Sequence, residues 1–297
     1  MSAARRAHRP TMTMFPFSDA LAQAYAHCES LTRQFDRDRW LAGLFAPADA
    51  RPHYFALTAF SYDIGRLRDV AREPMAGEIR LQWWREAIEG ARREEARANP
   101  LAAALLETIN RFGLPTKAFD NMLAARLFDL YDDPMPDLDA FEAYCGETSS
   151  ALFRLAALIL GGGRDFGGAQ AAGHAGLAYA TTGLLRALPI AASRGQAFLP
   201  MDVLAKHGVS RDEVIGGRDG APLRAALAAM RKLARDHLHK AQEAGWAREI
   251  AAAFLPLALV PLYLARMERA DYSPFGKVVE APQWRRQLAL WRAARRA

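Results

Sequence analysis

Two arginines in one helical segment have the chemistry to bind an anion. Arg186 and Arg194 both lie in the run TGLLRALPIAASRGQAFLP at 182–200. Guanidinium groups can hold a phosphate or diphosphate without a metal, because they donate paired, charge-assisted hydrogen bonds. The alternative is that Arg186 pairs with a carboxylate such as Asp69, and the sequence favours neither interpretation.

A third arginine stands in an aromatic setting. Arg80 lies in EIRLQWWREAI at 78–88, beside Trp83 and Trp84. These side chains could line a cleft. Paired tryptophans on an amphipathic helix more often pack in the core, so we favour a core position for them.

Carboxylates that could hold a metal are poorly placed. Mg²⁺ prefers carboxylate oxygens and water, and carboxylates four residues apart on a helix can share an ion. Asp63 and Asp69 are six apart, and so lie on roughly opposite faces of a helix. We interpret Asp129, Asp132 and Asp133 as a solvated loop in preference to a displaced metal site. No metal cofactor is therefore expected.

The segment at 182–200 resembles the second signature of the squalene/phytoene synthase family. That signature carries Leu-Arg-Asp, a second aspartate four residues later, and Arg-Gly-x-x-Tyr-Leu-Pro. Arg186, Arg194-Gly195 and Phe198-Leu199-Pro200 match it without a gap. Ala187 and Ala191 occupy the two aspartate positions, and alanine cannot bind a metal. Pro189 between them predicts a kink in the helix.

The segment ALTAFSYDIGRLRDVAREP at 56–74 resembles the first signature, a helix rich in Tyr and Phe that ends in Asp-Asp-x-x-Asp. Aligned on its Ala-Phe pair, that motif falls on Gly65, Arg66 and Asp69, so only the last aspartate remains. The resemblance implies a set of candidate residues for binding a diphosphate or another ligand in the cavity: Tyr62, Asp69, Arg80, Arg186 and Arg194. It assigns no catalytic residue.

The same resemblance implies a fold and a function. We expect an all-α, isoprenoid-synthase-like helical bundle with a central cavity walled by 51–71 and 169–190, and Asp69 facing Arg186 at its mouth. Without its paired aspartates the chain should not condense prenyl diphosphates. In its retained residues, including 198–210, it is similar to a divergent mitochondrial branch of the family that assists the assembly of respiratory complex I. Complex I subunits are then the implied partners.

Two alternatives remain open. One is an Mg²⁺-dependent transferase that condenses farnesyl or geranylgeranyl diphosphate, for which the carboxylates are missing. The other is a module that binds a prenyl diphosphate or a lipid without chemistry, a role that could coexist with assembly.

The sequence predicts that these residues lie on helices. Apolar residues recur at helical spacing and β-branched residues are scarce, so the pattern predicts a single helical domain over 18–297, preceded by a flexible tail at 1–17. Helices are expected at 18–36, 51–71, 78–96, 101–111, 116–130, 138–146, 148–161, 169–187 and 221–243. The stretch from Phe198 to Val214 reads as an irregular loop. The apolar stretch 251–265, which contains two prolines, reads as a buried, kinked helix.

The net charge, the cysteines and the segment 283–297 indicate where the protein is located in the cell. The chain of 297 residues has a net charge of +6, and its two cysteines fit a reducing cytoplasm. The basic helix at 283–297 carries Trp284 and Trp291, which could anchor it on the inner face of a membrane. We slightly favour packing of these tryptophans on the domain. Without a zinc or helix-turn-helix pattern, no nucleic acid partner is expected.

Overall fold

The computed structural model describes residues 18–71 and 73–296, and this part of the chain contains helices and no β-strand. The all-α fold predicted from the sequence is confirmed. The predicted tail at 1–17 lies outside the described residues.

The first half of the domain is built from short and medium helices. They are α1 (Asp19–Phe35), α2 (Arg37–Gly43), α3 (Arg51–Gly65), α4 (Leu67–Val70), α5 (Pro74–Glu89), α6 (Arg93–Ala98), α7 (Pro100–Phe112), α8 (Thr116–Arg126), α9 (Leu138–Cys145) and α10 (Ala151–Leu160). A 3₁₀ turn, Leu127–Leu130, follows α8, and a π turn, Gly146–Ser150, joins α9 to α10.

Two long helices dominate the second half. The helices are α11 (Ala169–Ser193), α12 (Met201–Lys206), α13 (Arg211–Ile215), α14 (Ala221–Ala244), α15 (Ala251–Phe254), α16 (Val260–Arg266) and α17 (Gln283–Arg296). α11 packs along α14, and α10 packs against both α3 and α11. The helices that carry the two sequence signatures are thus held on either side of α10.

Close packing of α11 depends on a glycine. A Cβ on Gly176 would lie 2.2 Å from the backbone nitrogen of Ser150, a distance that no real side chain tolerates. The Gly146–Ser150 turn can approach α11 only because position 176 has no side chain. Ser150 also donates its hydroxyl to the carbonyl of Gly173 at 2.7 Å, which fixes this contact.

Several predicted boundaries need correction. The helix predicted at 169–187 continues through Pro189 to Ser193. The helix predicted at 51–71 is interrupted at Arg66 and resumes as α4. The stretch from Phe198 to Val214, predicted as an irregular loop, forms most of α12 and α13, and Ser210 starts α13 with a capping box to Glu213.

The apolar segment before the last helix is part of the core. Arg248–Arg266 is long and apolar enough for a membrane span, with a mean hydropathy of 1.5, but 61% of that window is buried in the domain. Pro256 and Pro261 stand near the starts of a 3₁₀ helix, Leu255–Leu259, and of α16. The segment is therefore a broken, mostly buried helix, in agreement with the buried, kinked helix predicted from the sequence.

The last helix differs from the interpretation that we favoured. Trp284 and Trp291 of α17 are 59% and 48% exposed, so they do not pack on the domain. The buried side chains of α17 are Leu290 and Arg286. α17 therefore docks mainly through Leu290 and Arg286, with alanines beside them packed on the core, and leaves both tryptophans on the surface.

Candidate functional site

A buried guanidinium stands beside the first position of the first signature. A Cβ on Gly65, at the end of α3, would lie 3.4 Å from Nη2 of Arg126. Arg126 donates to Asp129 and to the hydroxyl of Tyr144, both at 2.8 Å. Where an aspartate and its metal would lie, this chain places a cation of its own.

The protein stabilises that cation with specific partners. Burial disfavours the charge of Arg126, but Tyr144 and Asp129 outweigh this effect, so the pKa of Arg126 rises further above its ordinary value. Tyr144 in turn donates to Asp129 at 2.7 Å. Asp129 is 8% exposed, so its interpretation as part of a solvated loop is wrong. It serves as the counter-ion of Arg126.

A second carboxylate of this region is also neutralised. Asp63 accepts hydrogen bonds from Trp84 at 3.0 Å and from Arg80 at 3.3 Å, and its other oxygen lies 3.8 Å from Arg66. Trp84 is fully buried, as the sequence indicated, and Trp83 is partly buried under the guanidinium of Arg80. With its oxygens engaged in these contacts, Asp63 is poorly placed to bind a metal.

The third carboxylate is Asp69, the one aspartate of the first signature that remains. It forms an ion pair with Arg194, and both side chains are 42% exposed. The predicted approach of Arg186 to Asp69 does not occur. Of the two arginines in the second signature, it is therefore Arg194 that reaches across to the first.

Arg186 instead fastens the C-terminal part of the domain. Its Nε donates to the carbonyl of Val279 at 2.8 Å, and its guanidinium lies 3.6 Å from the centre of the Tyr263 ring. It also lies 3.7 Å from Asp38, which accepts from Arg286 of α17 at 2.9 Å and from Tyr263. Asp38 is therefore the centre of a buried latch that holds α16 and α17 on the bundle.

The second aspartate position of the second signature, Ala191, faces hydrocarbon. Ala191 borders a void of about 10 Å³, lined mainly by apolar side chains such as Leu188, Phe198 and Met230. Roughly 10–15 Å³ is the space that one water needs, so a hydrated ion has no room there. Among the described residues, no group of three or more His, Cys, Asp or Glu could hold a metal. The residues present do not fit the Mg²⁺ ions that the second signature implies.

A sequence profile decides the family. The profile of squalene/phytoene synthase matches residues 32–292 of this chain. The chain belongs to the squalene/phytoene synthase family.

Members of two kinds are similar to it. A rat protein named NADH dehydrogenase (ubiquinone) complex I, assembly factor 6 is 29% identical over 91% of this chain and 82% of its own length. A phytoene synthase from Arthrospira platensis is 24% identical over 93% of this chain and 94% of its own length. A solved squalene synthase from Alicyclobacillus acidocaldarius has a TM-score of 0.73 at 21% identity, covering 87% of this chain and 98% of that one. This structural likeness supports the fold.

The remaining candidate residues lie close to Asp63 and Asp69. Tyr62 stacks on Phe35 with ring centres 4.6 Å apart, and the guanidinium of Arg66 lies 5.3 Å from the Tyr62 ring. Tyr62, Asp69, Arg80 and Arg194 therefore all have protein partners, and their roles as ligand-binding residues stay predictions. Arg186, within the buried latch, lies apart from them.

Several important residues gave no signal in the sequence. Arg126 and Asp129 are three residues apart on a helix end, a spacing that on most proteins marks a surface ion pair. Arg39 is a second such case: it binds Asp36 at 2.8 Å and lies 4.4 Å from the centre of the Tyr179 ring. Burial disfavours its charge, yet Tyr179, Asp36 and Tyr54 outweigh burial and raise its pKa. Only tertiary packing identifies these arginines as internal cations.

Proposed function

We propose that this member of the squalene/phytoene synthase family does not condense prenyl diphosphates and that it assists the assembly of a respiratory complex I. The proposal that the chain does not condense prenyl diphosphates rests on how its carboxylates are paired. Asp69, the one aspartate at a motif position, and the nearby Asp63 and Asp129 are each paired with an arginine. The remaining motif positions hold Gly65, Arg66, Ala187 and Ala191.

The chemistry of condensation explains why this matters. A prenyl diphosphate ionises only if the charge that develops on its leaving group is neutralised, which metal ions do for many phosphoryl and diphosphate groups. Here the only cations at the motif positions are arginines, and their charges are already matched by carboxylates of the chain. A substrate diphosphate would have to compete with Asp69 for Arg194.

Support for the assembly role comes from the relatives. The rat relative named as a complex I assembly factor is similar over most of both chains. We extend the proposal to location: the chain works at the inner face of the membrane that holds complex I, and touches it through the basic outer surface of α17. Arg285 and Arg295 stack on the exposed Trp284 and Trp291, at 5.2 and 4.8 Å from the ring centres.

Complementation tests the assembly role. The chain, fitted with a mitochondrial targeting segment, would be expressed in rat cells that lack complex I assembly factor 6, and assembled complex I would be measured on native gels. We expect partial or full recovery of the assembled complex. The matched control is Asp38→Asn, which disrupts the latch. If the wild-type chain is folded and present in mitochondria but does not restore assembled complex I, the assembly proposal is contradicted.

The candidate ligand residues yield a second, narrower proposal. The side chains of Arg80 and Arg194 are 38% and 42% exposed. A prenyl diphosphate could therefore contact both arginines without a metal, if it displaced Asp63 and Asp69 from them. Calorimetric titration with farnesyl diphosphate in EDTA tests it. Binding that is lost in Arg194→Ala and kept in the variant of an exposed arginine on another segment, Arg218→Ala, would support the contact, whereas absence of binding would remove it.

A further inference from the structure

A groove separate from the motif positions runs under the last helix. It has a volume of about 650 Å³ and lies between the end of α14, the segment 245–258 and α17. Small-molecule sites in proteins usually have volumes of roughly 300–1,000 Å³, so the groove is large enough for a ligand. None of the contacts described above, at the motif positions or in the latch, involves its lining.

The floor of the groove is aromatic and aliphatic. Trp246 stacks face to face on Phe254, with ring centres 4.4 Å apart and an interplanar angle of 6°. Leu257 extends the floor, and Ala289 and Ala293 of α17 form one wall. The small alanine side chains keep the groove open, since a larger residue at either position would project into it.

The mouth of the groove is cationic. Arg292 and Arg296 line it, both are exposed, and neither forms an ion pair with any residue that the structure describes. No carboxylate belongs to the described lining. An apolar groove lined by two guanidinium groups that pair with no carboxylate among the described residues complements a molecule with a hydrocarbon chain and an anionic head.

The geometry of α17 indicates where such a molecule comes from. At 100° per residue, Ala289, Ala293 and Arg296 form one stripe that faces the groove, while Trp284, Leu288, Trp291 and Arg295 form another on the opposite flank. Basic residues between flanking tryptophans are typical of a helix that lies on an anionic bilayer. A bilayer beneath this helix would also reach the mouth of the groove.

We propose that the groove receives an acyl chain of an anionic membrane phospholipid, whose head group is held by Arg292 and Arg296. This inference rests on the membrane contact proposed above and is independent of the assembly role. It predicts that α17 does more than touch the surface, because one lipid chain leaves the bilayer plane and lies against Trp246.

Brominated lipids test the proposal, because bromine on an acyl chain quenches the fluorescence of a tryptophan that it touches. The reporter is the variant Trp284→Phe/Trp291→Phe, which removes the fluorescence of the two exposed tryptophans, keeps an aromatic ring at both positions for contact with the bilayer, and keeps Trp246. With anionic vesicles of mid-chain brominated phospholipid, we expect quenching of this variant. Adding Trp246→Phe should abolish that quenching, while both proteins still pellet with the vesicles.

Two substitutions in the reporter background test the groove itself. Ala293→Phe fills it, and should remove the quenching while leaving vesicle binding and helical content unchanged; Gln287→Phe, an exposed position on the same helix, is the control. Arg292→Gln/Arg296→Gln should also remove the quenching, compared at equal amounts of vesicle-bound protein. If Ala293→Phe perturbs the helix, this double variant still tests the proposal, because its vesicle binding is measured beside its quenching.

The results of these experiments distinguish the groove assignment from the membrane contact. Vesicle binding without quenching of Trp246 would overturn the groove assignment and leave the membrane contact standing. No binding of the unsubstituted chain to anionic vesicles would overturn both. Quenching by a dissolved brominated fatty acid but not by vesicles would show that the groove takes free fatty acids, which contradicts its assignment to a membrane phospholipid.

Discussion

Nη2 of Arg126 lies 3.4 Å from the point where a Cβ would stand on Gly65. A carboxylate introduced at position 65 would therefore meet a guanidinium before it could meet a metal. Introducing acids at the motif positions is then not equivalent to building a metal site, because the Arg126 guanidinium already occupies the space beside position 65.

The first prediction follows from this arrangement. The variant Gly65→Asp/Arg66→Asp/Ala187→Asp/Ala191→Asp should show no Mg²⁺-dependent conversion of farnesyl diphosphate, assayed by product analysis. Ala191 is buried beside hydrocarbon, so Ala191→Asp alone should lower the free energy of unfolding by about 3 kcal/mol or more. Ala187→Asp, at a half-buried position, is the matched control and should cost less. Mg²⁺-dependent turnover by the fourfold variant would contradict the prediction.

A second prediction concerns the counter-ion of Arg126. Asp129→Asn removes one charge of a buried pair and leaves Arg126 uncompensated, which should lower the free energy of unfolding by about 3–5 kcal/mol. Asp132→Asn provides the comparison, because Asp132 is 60% exposed in its pair with Arg68, and its loss should cost less than about 1 kcal/mol. Equal effects in urea denaturation would show that Asp129 is not an internal counter-ion.

The third prediction concerns the latch. Asp38 is buried and faces Arg186, Arg286 and Tyr263, so Asp38→Asn should loosen α17 and the segment around Val279. Hydrogen exchange of the backbone amides should accelerate at 279–296 by more than tenfold, about 1.4 kcal/mol of local stability, while α3 changes little. Asp271→Asn removes a carboxylate from an exposed pair and should leave α17 unchanged. Unaltered exchange at 279–296 in Asp38→Asn would rule out the latch.

The fourth prediction uses a buried histidine. His53 is fully buried, and burial, with a smaller effect of Arg111, lowers its pKa from 6.5 to about 4. The unfolded chain then binds more protons than the folded one between pH 6.5 and 4, so stability is fully present above the unfolded pKa and is lost as the pH falls through this window. From pH 7.5 to 5 the loss should be about 2 kcal/mol.

The matched variant for that test is His53→Gln, which keeps groups able to bond Tyr25 and Thr108, the neighbours of the His53 Nδ1. Urea denaturation of both proteins at each pH isolates the histidine, because other titrating groups are common to the two. A difference between the proteins that does not change with pH would contradict the lowered pKa.

The helices and the family could be predicted from the sequence, because both depend on local patterns of residues. The helices form because apolar residues recur at their spacing, and gapless matches such as Arg194-Gly195 and Phe198-Leu199-Pro200 identified the family. The alanines at the aligned positions 187 and 191 could also be read directly from the sequence.

The pairing of charges was not predictable, since it depends on which helices face each other. Arg186 and Arg194 are eight residues apart, yet one meets Asp38 and the other meets Asp69. A one-dimensional alignment of two signatures cannot distinguish these partners. Exposure of Trp284 and Trp291 likewise follows from the docking of α17 through Arg286 and Leu290, which its pattern alone left open.

We propose that arginines at the first signature and apolar side chains at the second leave no metal site, and that the chain therefore does not catalyse the condensation. The test is to incubate the purified chain with radiolabelled farnesyl or geranylgeranyl diphosphate and Mg²⁺, and to analyse the extracted products. We expect no C30 or C40 hydrocarbon and no release of diphosphate above a no-protein control. Sustained, Mg²⁺-dependent formation of either hydrocarbon would contradict it.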